Sequence, residues 1–330
     1  MEKHLLGRFL LGLCSILLIV YCIQSAPVSK YVEEVKETSG LPHHKGLDET
    51  IRIKKKIKEG AEKQNRPPIN ARIDPVWKAI PGYNGRIVDE EKTLRKTLQQ
   101  AQGDSILWVY REVKPTVNLE NLGAVPIYRG NPHKPAAALM VNVAWGTEYL
   151  PSMLNILKRE GIKATFFLDG SWLKKHPNEA KAIKAQGHEI GNHAFSHPMM
   201  SRLSAERIRQ EILQTEHLMQ QILQLKSRWF APPAGDYNQQ VVTLAHQNKM
   251  HTVLWTVDTV DWKKSSSPEW MIQRVNKQLG NGSLLLTHPT DRTVKALPEM
   301  IRIGKRKGIK WGTISEVLSS KRIDPFEYRD

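Results

Sequence analysis

From about residue 136 the sequence alternates short apolar or β-branched runs with stretches of helical periodicity, and that alternation leaves few architectures open. The runs fall at residues 138–143, 165–168, 188–190, 228–230, 252–256, 283–286 and 311–313. Between most of them, over 148–159, 205–225, 239–248, 269–279 and 295–307, apolar residues recur with the period of an amphipathic helix. Short strands buried on both faces and joined by helices pair in parallel. Their working residues then gather at the carboxyl ends of the strands. The expectation is an α/β fold.

With 330 residues, 40% of them hydrophobic, the chain can bury one large core, or a barrel and a small additional domain. The formal net charge of +16 favours an anionic neighbourhood, be it nucleic acid, anionic lipid or an acidic wall polymer. The chain start narrows this. Lys3 and Arg8 precede an apolar run over 9–23, and the small residues Ser25 and Ala26 follow, so 1–26 reads as an export segment. The run is short for a membrane span. Gln24 and Pro27 nevertheless make a poor cleavage site, so a cleaved signal and an anchor through residues 9–23 both stay open. The 2 cysteines, Cys14 and Cys22, lie inside it, and the exported part needs no disulfide. Export speaks against a nucleic-acid partner, as does the lack of a basic helix with interleaved aromatics.

Residues 27–68, with VEEVKETSG and IRIKKKIKEG, read as a charged linker. Residues 69–130 read as a small α/β subdomain, with a helix over 89–100 and a strand over 106–110. Its Trp77, Trp108 and Tyr110 serve packing rather than ligand binding. The main domain occupies 131–322.

Residues 187–198 read GHEIGNHAFSHP and place His193 and His197 four apart in a polar stretch at a strand end. Two readings stay open at this point. Both imidazoles face one point and hold a metal, or both bond to neighbouring backbone in an ordinary polar loop.

With the run KATFFLDGSWLKKHPNEAKAIKAQ before it, this stretch resembles the polysaccharide deacetylases of carbohydrate esterase family four, and further blocks match in order across about 130–320. The resemblance implies a distorted, incomplete (β/α) barrel. It also implies removal of N-acetyl groups from amino-sugar polymers by a divalent metal on one aspartate and two histidines, with an aspartate as base and a late histidine as acid. Zinc is the default ion, with cobalt, nickel or manganese open to the same ligands. Carried over residue by residue, His193 and His197 are the metal ligands. His288 is the acid, in Leu286-Thr287-His288, and Asp261, in Trp255-Thr256-Val257-Asp258-Thr259-Val260-Asp261-Trp262, orients it. Leu286, Trp262 and Ala234 line the substrate pocket.

The chain departs from the family pattern at the first block, Val141-Asn142-Val143-Ala144-Trp145-Gly146. Ala144 stands where the base belongs and Trp145 where the metal carboxylate belongs. Neither can accept a proton from water or ligate a cation. In Phe230-Ala231-Pro232-Pro233-Ala234-Gly235, Ala231 replaces the arginine that orients the base. The acid half is complete and the base half is missing. Trp145 fills space near the metal position or offers a flat face to a sugar ring, and Asp236 is the acid considered as a substitute base. The NVAWG stretch resembles a sporulation-associated branch of deacetylase-like proteins.

Three functions follow as expectations. The first is an exported deacetylase-like protein that acts on or binds N-acetylated cell-wall glycan with catalysis impaired. The others are an active metal-dependent N-deacetylase with an atypical site, and a non-catalytic wall-associated structural protein. All three place the chain in the cell wall or on the outer face of the membrane.

Overall fold

The computed structural model describes residue 30, residues 47–99 and residues 105–323. The expected export segment lies outside the described residues, as does the expected linker over 27–29 and 31–46. Among the described residues no helix is long and apolar enough to cross a membrane. The described residues divide into two compact units, those up to 64 with those of 88–110, and those of 65–87 with those from 111 onward.

In the smaller unit the helix α1 (Leu47–Gln64) corrects the linker expectation. Ile53, Ile57 and Ala61 recur every fourth residue and are buried with Val88, and Leu94, Leu98, Ile106, Trp108 and Tyr110 pack against them. The basic residues that suggested a solvated spacer occupy the remaining faces. The helix α2 (Glu90–Leu98) starts at Asp89, whose side chain accepts from the Lys92 N–H.

Among the described residues, four short strands precede the main sheet: β1 (Arg72–Asp74), β2 (Lys78–Ile80), β3 (Gly85–Val88) and β4 (Tyr110–Val113). The strand expected at 106–110 is therefore displaced. Leu107 and Val109 donate their N–H groups to the Thr97 and Thr93 hydroxyls, at 3.0 and 2.9 Å, instead of to a neighbouring strand. Nor do residues 69–130 form a unit of their own, since 88–110 belongs to the smaller unit and the rest to the larger.

The larger unit is built on β5 (Ala136–Val143), β6 (Thr165–Leu168), β7 (Glu189–Asn192), β8 (Trp229–Phe230), β9 (His251–Thr252), β10 (Val257–Asp258), β11 (Ser283–Thr287) and β12 (Lys310–Gly312). They form an 8-stranded sheet in the order β10-β11-β5-β6-β7-β8-β9, with β12 joining the start of β5. Every pairing is parallel. Helices α3 (Leu150–Glu160), α4 (Gly170–Lys175), α5 (Pro177–Ala185), α6 (Ala205–Leu218), α7 (Gln239–Gln247), α8 (Pro268–Gln278), α9 (Asp291–Arg306) and α10 (Ile314–Leu318) lie between and after the strands. The path does not close, so this is the curled, incomplete barrel the resemblance implies.

All of β5 is buried, and its residues sort by parity. Ala137, Leu139, Val141 and Val143 join the core that holds the residues of α3 and α9. Ala136, Ala138 and Met140 join a second core on the opposite face, inside the curl, with Phe167, Trp229, Leu284 and Leu286. The alanines keep that interior narrow. Continuing the inner set by two residues puts Asn142 at the top of the curl, and the same step on β11 carries Leu284 and Leu286 to His288.

The run at 252–256 is not one strand. Thr252 ends β9, which pairs with β8, while Val257 begins β10, which pairs with β11. Those are the two ends of the sheet. Residues 253–256 cross from one to the other, with the Leu254 N–H on the Ile127 carbonyl at 2.8 Å and the Thr256 N–H on the Leu284 carbonyl at 3.0 Å. A four-residue link spans at most about 17 Å, so the curl is nearly complete.

Gly191 lies opposite Phe167 in the register of β7 and β6, two residues before His193. A Cβ there would stand 2.4 Å from Phe167 Cδ1 and 2.5 Å from Cε1. Gly191→Ala is expected to cost about 1–3 kcal/mol of stability in denaturant unfolding, as overpacked cores do; an unchanged midpoint would mean that the Phe167 ring yields freely.

Candidate functional site

A cleft of about 320 Å³ opens at the carboxyl ends of the strands. It is lined by Asn142, Trp145, His193, His197, Ala234, Trp255, Asp258, Trp262, Leu286 and His288. The structure thus brings together His193, His197, His288, Leu286, Trp262, Ala234 and Trp145, as the sequence suggests. Asp261 stands behind His288, while Ala144 and Ala231 are not among the lining residues.

The histidine loop leaves β7 in a strained path, with Ala194 at φ 62° and His197 at φ 55°. Neighbouring groups hold it there. The Gly170 and Ser171 N–H groups at the start of α4 donate to the Ala194 and Phe195 carbonyls, both at 2.8 Å. From α6, the fully buried Glu211 carboxylate accepts from the Phe195 N–H at 2.9 Å, the Ser196 N–H at 2.8 Å and the Ser196 hydroxyl at 2.8 Å. Arg207 pairs with the same carboxylate at 2.8 Å.

His193 Nδ1 lies 2.7 Å from the Ala231 carbonyl, which only accepts, so Nδ1 carries the proton. The neighbouring His197 ring sits edge-on at 5.2 Å. Burial, then the charge of His197, pushes the His193 pKa down to about 3 and keeps the ring neutral.

On the opposite wall, the buried Asp261 carboxylate accepts from His288 Nδ1 at 2.7 Å and from the His288 backbone N–H at 2.6 Å. The Thr293 hydroxyl also bonds it, and Arg292 Nη2 donates to the Asp261 carbonyl at 2.8 Å. The Trp145 indole stacks on His288, with centroids 5.7 Å apart and planes within 9°. Gly146 makes that contact available, because at its φ of 74° an added Cβ would stand 1.9 Å from the Pro289 carbonyl oxygen. No larger residue lets the two loops meet so closely.

Asp258 lines the cleft with its carboxyl pKa raised, mainly by burial, against the opposing Val260 N–H bond. Asp236 does not reach in. Its two oxygens accept from the Ser201 N–H at 2.7 Å and the Ser201 hydroxyl at 2.8 Å, which corrects the idea of a substitute base. Asn142, Asp258 and Glu211 were missed as site residues, yet each left a signal. Asn142 keeps the inner parity of β5, Asp258 is the first acid of the Trp255–Trp262 block, and Glu211 is a charge on the buried stripe Ile208, Ile212, Thr215 of α6.

A family model described as polysaccharide deacetylase matches residues 129–253. The uncharacterized protein YlxY of Bacillus subtilis (strain 168) is 45% identical over 256 residues, 78% of this chain and 80% of its own length. The crystal structure of wild-type BA3943, a CE4 family pseudoenzyme from Bacillus anthracis, is similar with a TM-score of 0.76 and 43% identity, over 82% of this chain and 96% of that one. A mutant of it described as having restored enzymatic activity gives 0.75 and 42%, over 82% and 99%. A peptidoglycan-N-acetylglucosamine deacetylase of Bacillus cereus is 32% identical over 59% of this chain and 72% of its own. The chain belongs to the polysaccharide deacetylases, carbohydrate esterase family 4.

The resemblance gives this family a metal site of two histidines and one aspartate, and the residues present here do not fit it. Among the described residues no group of three or more His, Cys, Asp or Glu side chains is arranged to hold a metal ion. The third position is an indole stacked on His288. Catalytic zinc sites hold their ion on three protein ligands, and the two histidines alone fall short of that set.

Two measurements check the arrangement. Glu211→Ala removes a buried carboxylate with four partners and is expected to cost about 3 kcal/mol in chemical unfolding, because the loop N–H groups are left unpaired. An effect near zero would mean that water replaces the carboxylate. For His193, the unfolded ring takes its proton near pH 6.5 and the folded one only near pH 3, so its contribution is lost as pH falls through this window. In chelator-treated protein, the stability gap between the chain and His193→Asn should narrow from pH 6.5 to 4.5, by up to about 1.4 kcal/mol per pH unit. A gap independent of pH would mean that His193 is not neutralised by burial.

Proposed function

We propose that this chain is an exported, deacetylase-fold protein that binds the amino-sugar glycan of the cell wall and hydrolyses it poorly or not at all. The single observation carrying the reading is the Trp145 indole, stacked on His288 where a family member places its metal carboxylate. With Ala144 beside it, no group remains to take a proton from water at that position, and losing a general base costs about two to four orders of magnitude in rate. The loss of a metal ligand compounds it.

The acid half alone can donate a proton from His288 but has no nucleophile to follow. What the cleft retains suits binding: Trp145 and Trp262, 44% and 51% exposed, offer flat apolar faces of the kind that stack on sugar rings. Relatives named for peptidoglycan deacetylation support a wall glycan as the polymer bound. Export rests on the pattern of residues 1–26. A divalent ion, zinc first, would have only His193 and His197 as side-chain ligands among the described residues, so its binding is weak and substoichiometric.

After dialysis against zinc, the full-length chain is expected to hold well under one metal per chain. It should release no acetate above background from N-acetylglucosamine oligomers or peptidoglycan, while still binding glycan saturably. Ala144→Asp with Trp145→Asp is expected to raise metal affinity, and adding Ala231→Arg supplies the orienter for a regained base. Stoichiometric metal with acetate release that vanishes in His193→Ala would overturn the proposal.

A further inference from the structure

Trp145, Trp255 and Trp262, three indoles, line one cleft in which, among the described residues, Asp258 is the single carboxylate and no lysine or arginine takes part. That lining is unusual in a chain of 49 Lys and Arg against 33 Asp and Glu. Indole faces attract a cation through their ring quadrupole, most strongly when water is kept away. Trp262 already hosts one, the Lys263 ammonium at 5.0 Å from its ring centroid.

Asp258 is left with bonding capacity. One oxygen accepts from the Val260 N–H at 2.7 Å, and the other has no protein partner among the described residues. The nearby Arg274 guanidinium does not occupy it, because its Nε donates to the Asp258 main-chain carbonyl at 2.7 Å. On the cleft wall, the buried Asn142 Oδ1 has no hydrogen-bond partner among the described residues. Buried acceptors without a protein donor are rare, and this one is free to take a ligand's hydrogen. The remaining titratable groups on the wall are the imidazoles of His193, His197 and His288, two of which have one nitrogen already committed to Ala231 and Asp261.

A cleft of indole faces and unmatched acceptors is built for a ligand with a flat apolar ring face, several donors and a positive charge. We infer that it takes an amino-sugar ring whose nitrogen is free and protonated, the ammonium set between the indoles and the Asp258 carboxylate, rather than the N-acetylated ring. This rests on the reading of the cleft as a glycan site and sharpens its ligand class. An N-acetyl group offers a neutral amide with one donor and adds a carbonyl to a wall already rich in acceptors. The ligand is then the product of amide hydrolysis on an N-acetylated glycan, a reaction for which this cleft lacks the base. Another enzyme of that class must supply it.

The test is calorimetric titration of the full-length chain with a β-linked glucosamine hexamer and with the N-acetylglucosamine hexamer, at a pH where the sugar amine is protonated. The free-amine hexamer is expected to bind about tenfold tighter or more, against the repulsion set by the positive net charge. In Asp258→Asn the two affinities should converge to within about twofold, since only the ammonium uses that charge. Trp145→Ala should weaken both. Equal or tighter binding of the acetylated hexamer overturns the inference while leaving glycan binding in place, and so does a preference that survives in folded Asp258→Asn. If neither hexamer binds, the glycan reading itself falls and the inference with it. The comparison of the two hexamers on the unsubstituted chain decides the matter even if a variant fails to fold.

Discussion

Burial of β5 on both faces is the constraint on which the larger unit depends. Eight consecutive residues, Ala136 to Val143, are buried, so the strand must be covered by helices on one side and by the rest of the sheet on the other. Leu139 and Val141 answer to the helix side; Ala138 and Met140 answer to the curl. Because parity alone decides which residue faces which core, a register slip of one would exchange the two sets and put Asn142 among the helices. The position of the cleft follows from this. The inner residues of β5 and β11 run out of apolar side chains at the same height, and Asn142 and His288 are what come next.

The retained and the missing parts of the deacetylase site differ in what else they do. Asp261 ties the end of β11 to the start of α9 through the His288 N–H and the Thr293 hydroxyl, and His193 ties the end of β7 to the strand end at Ala231. Removing either would leave buried groups unpaired and would cost stability. Ala144 and Trp145 lie partly or largely open to water, beyond the buried span of β5. Side chains at those two positions carry less of the packing than the buried residues of β5 before them.

Much of the barrel was legible in the sequence, because strands such as 165–168 are short, β-branched or aromatic, and bounded by helices of clear period. The two histidines and the Asp261–His288 pair were legible too, through blocks whose spacing the fold preserves. What escaped was set by distant partners. The run at 252–256 reads as one strand until its two halves are seen to bond to Phe230 and Leu284, at opposite ends of the sheet. In α1 the apolar stripe is only Ile53, Ile57 and Ala61 on a helix crowded with lysine, too thin to stand out until Trp108 and Tyr110 cover it. Glu211 carries no local mark of its role, since the N–H groups that need it lie 15 and 16 residues away in sequence.

Residues 253–256 are a covalent strap across the open side of the barrel, fastened to Ile127 on one flank and to Leu284 on the other. An open sheet without such a strap can breathe, and a guest must then pay entropy to draw its walls together. Here the width of the mouth is fixed when the chain folds, before any guest arrives. The distance between the two ends of the sheet is thereby a covalent dimension, set by the length of four residues rather than by packing alone.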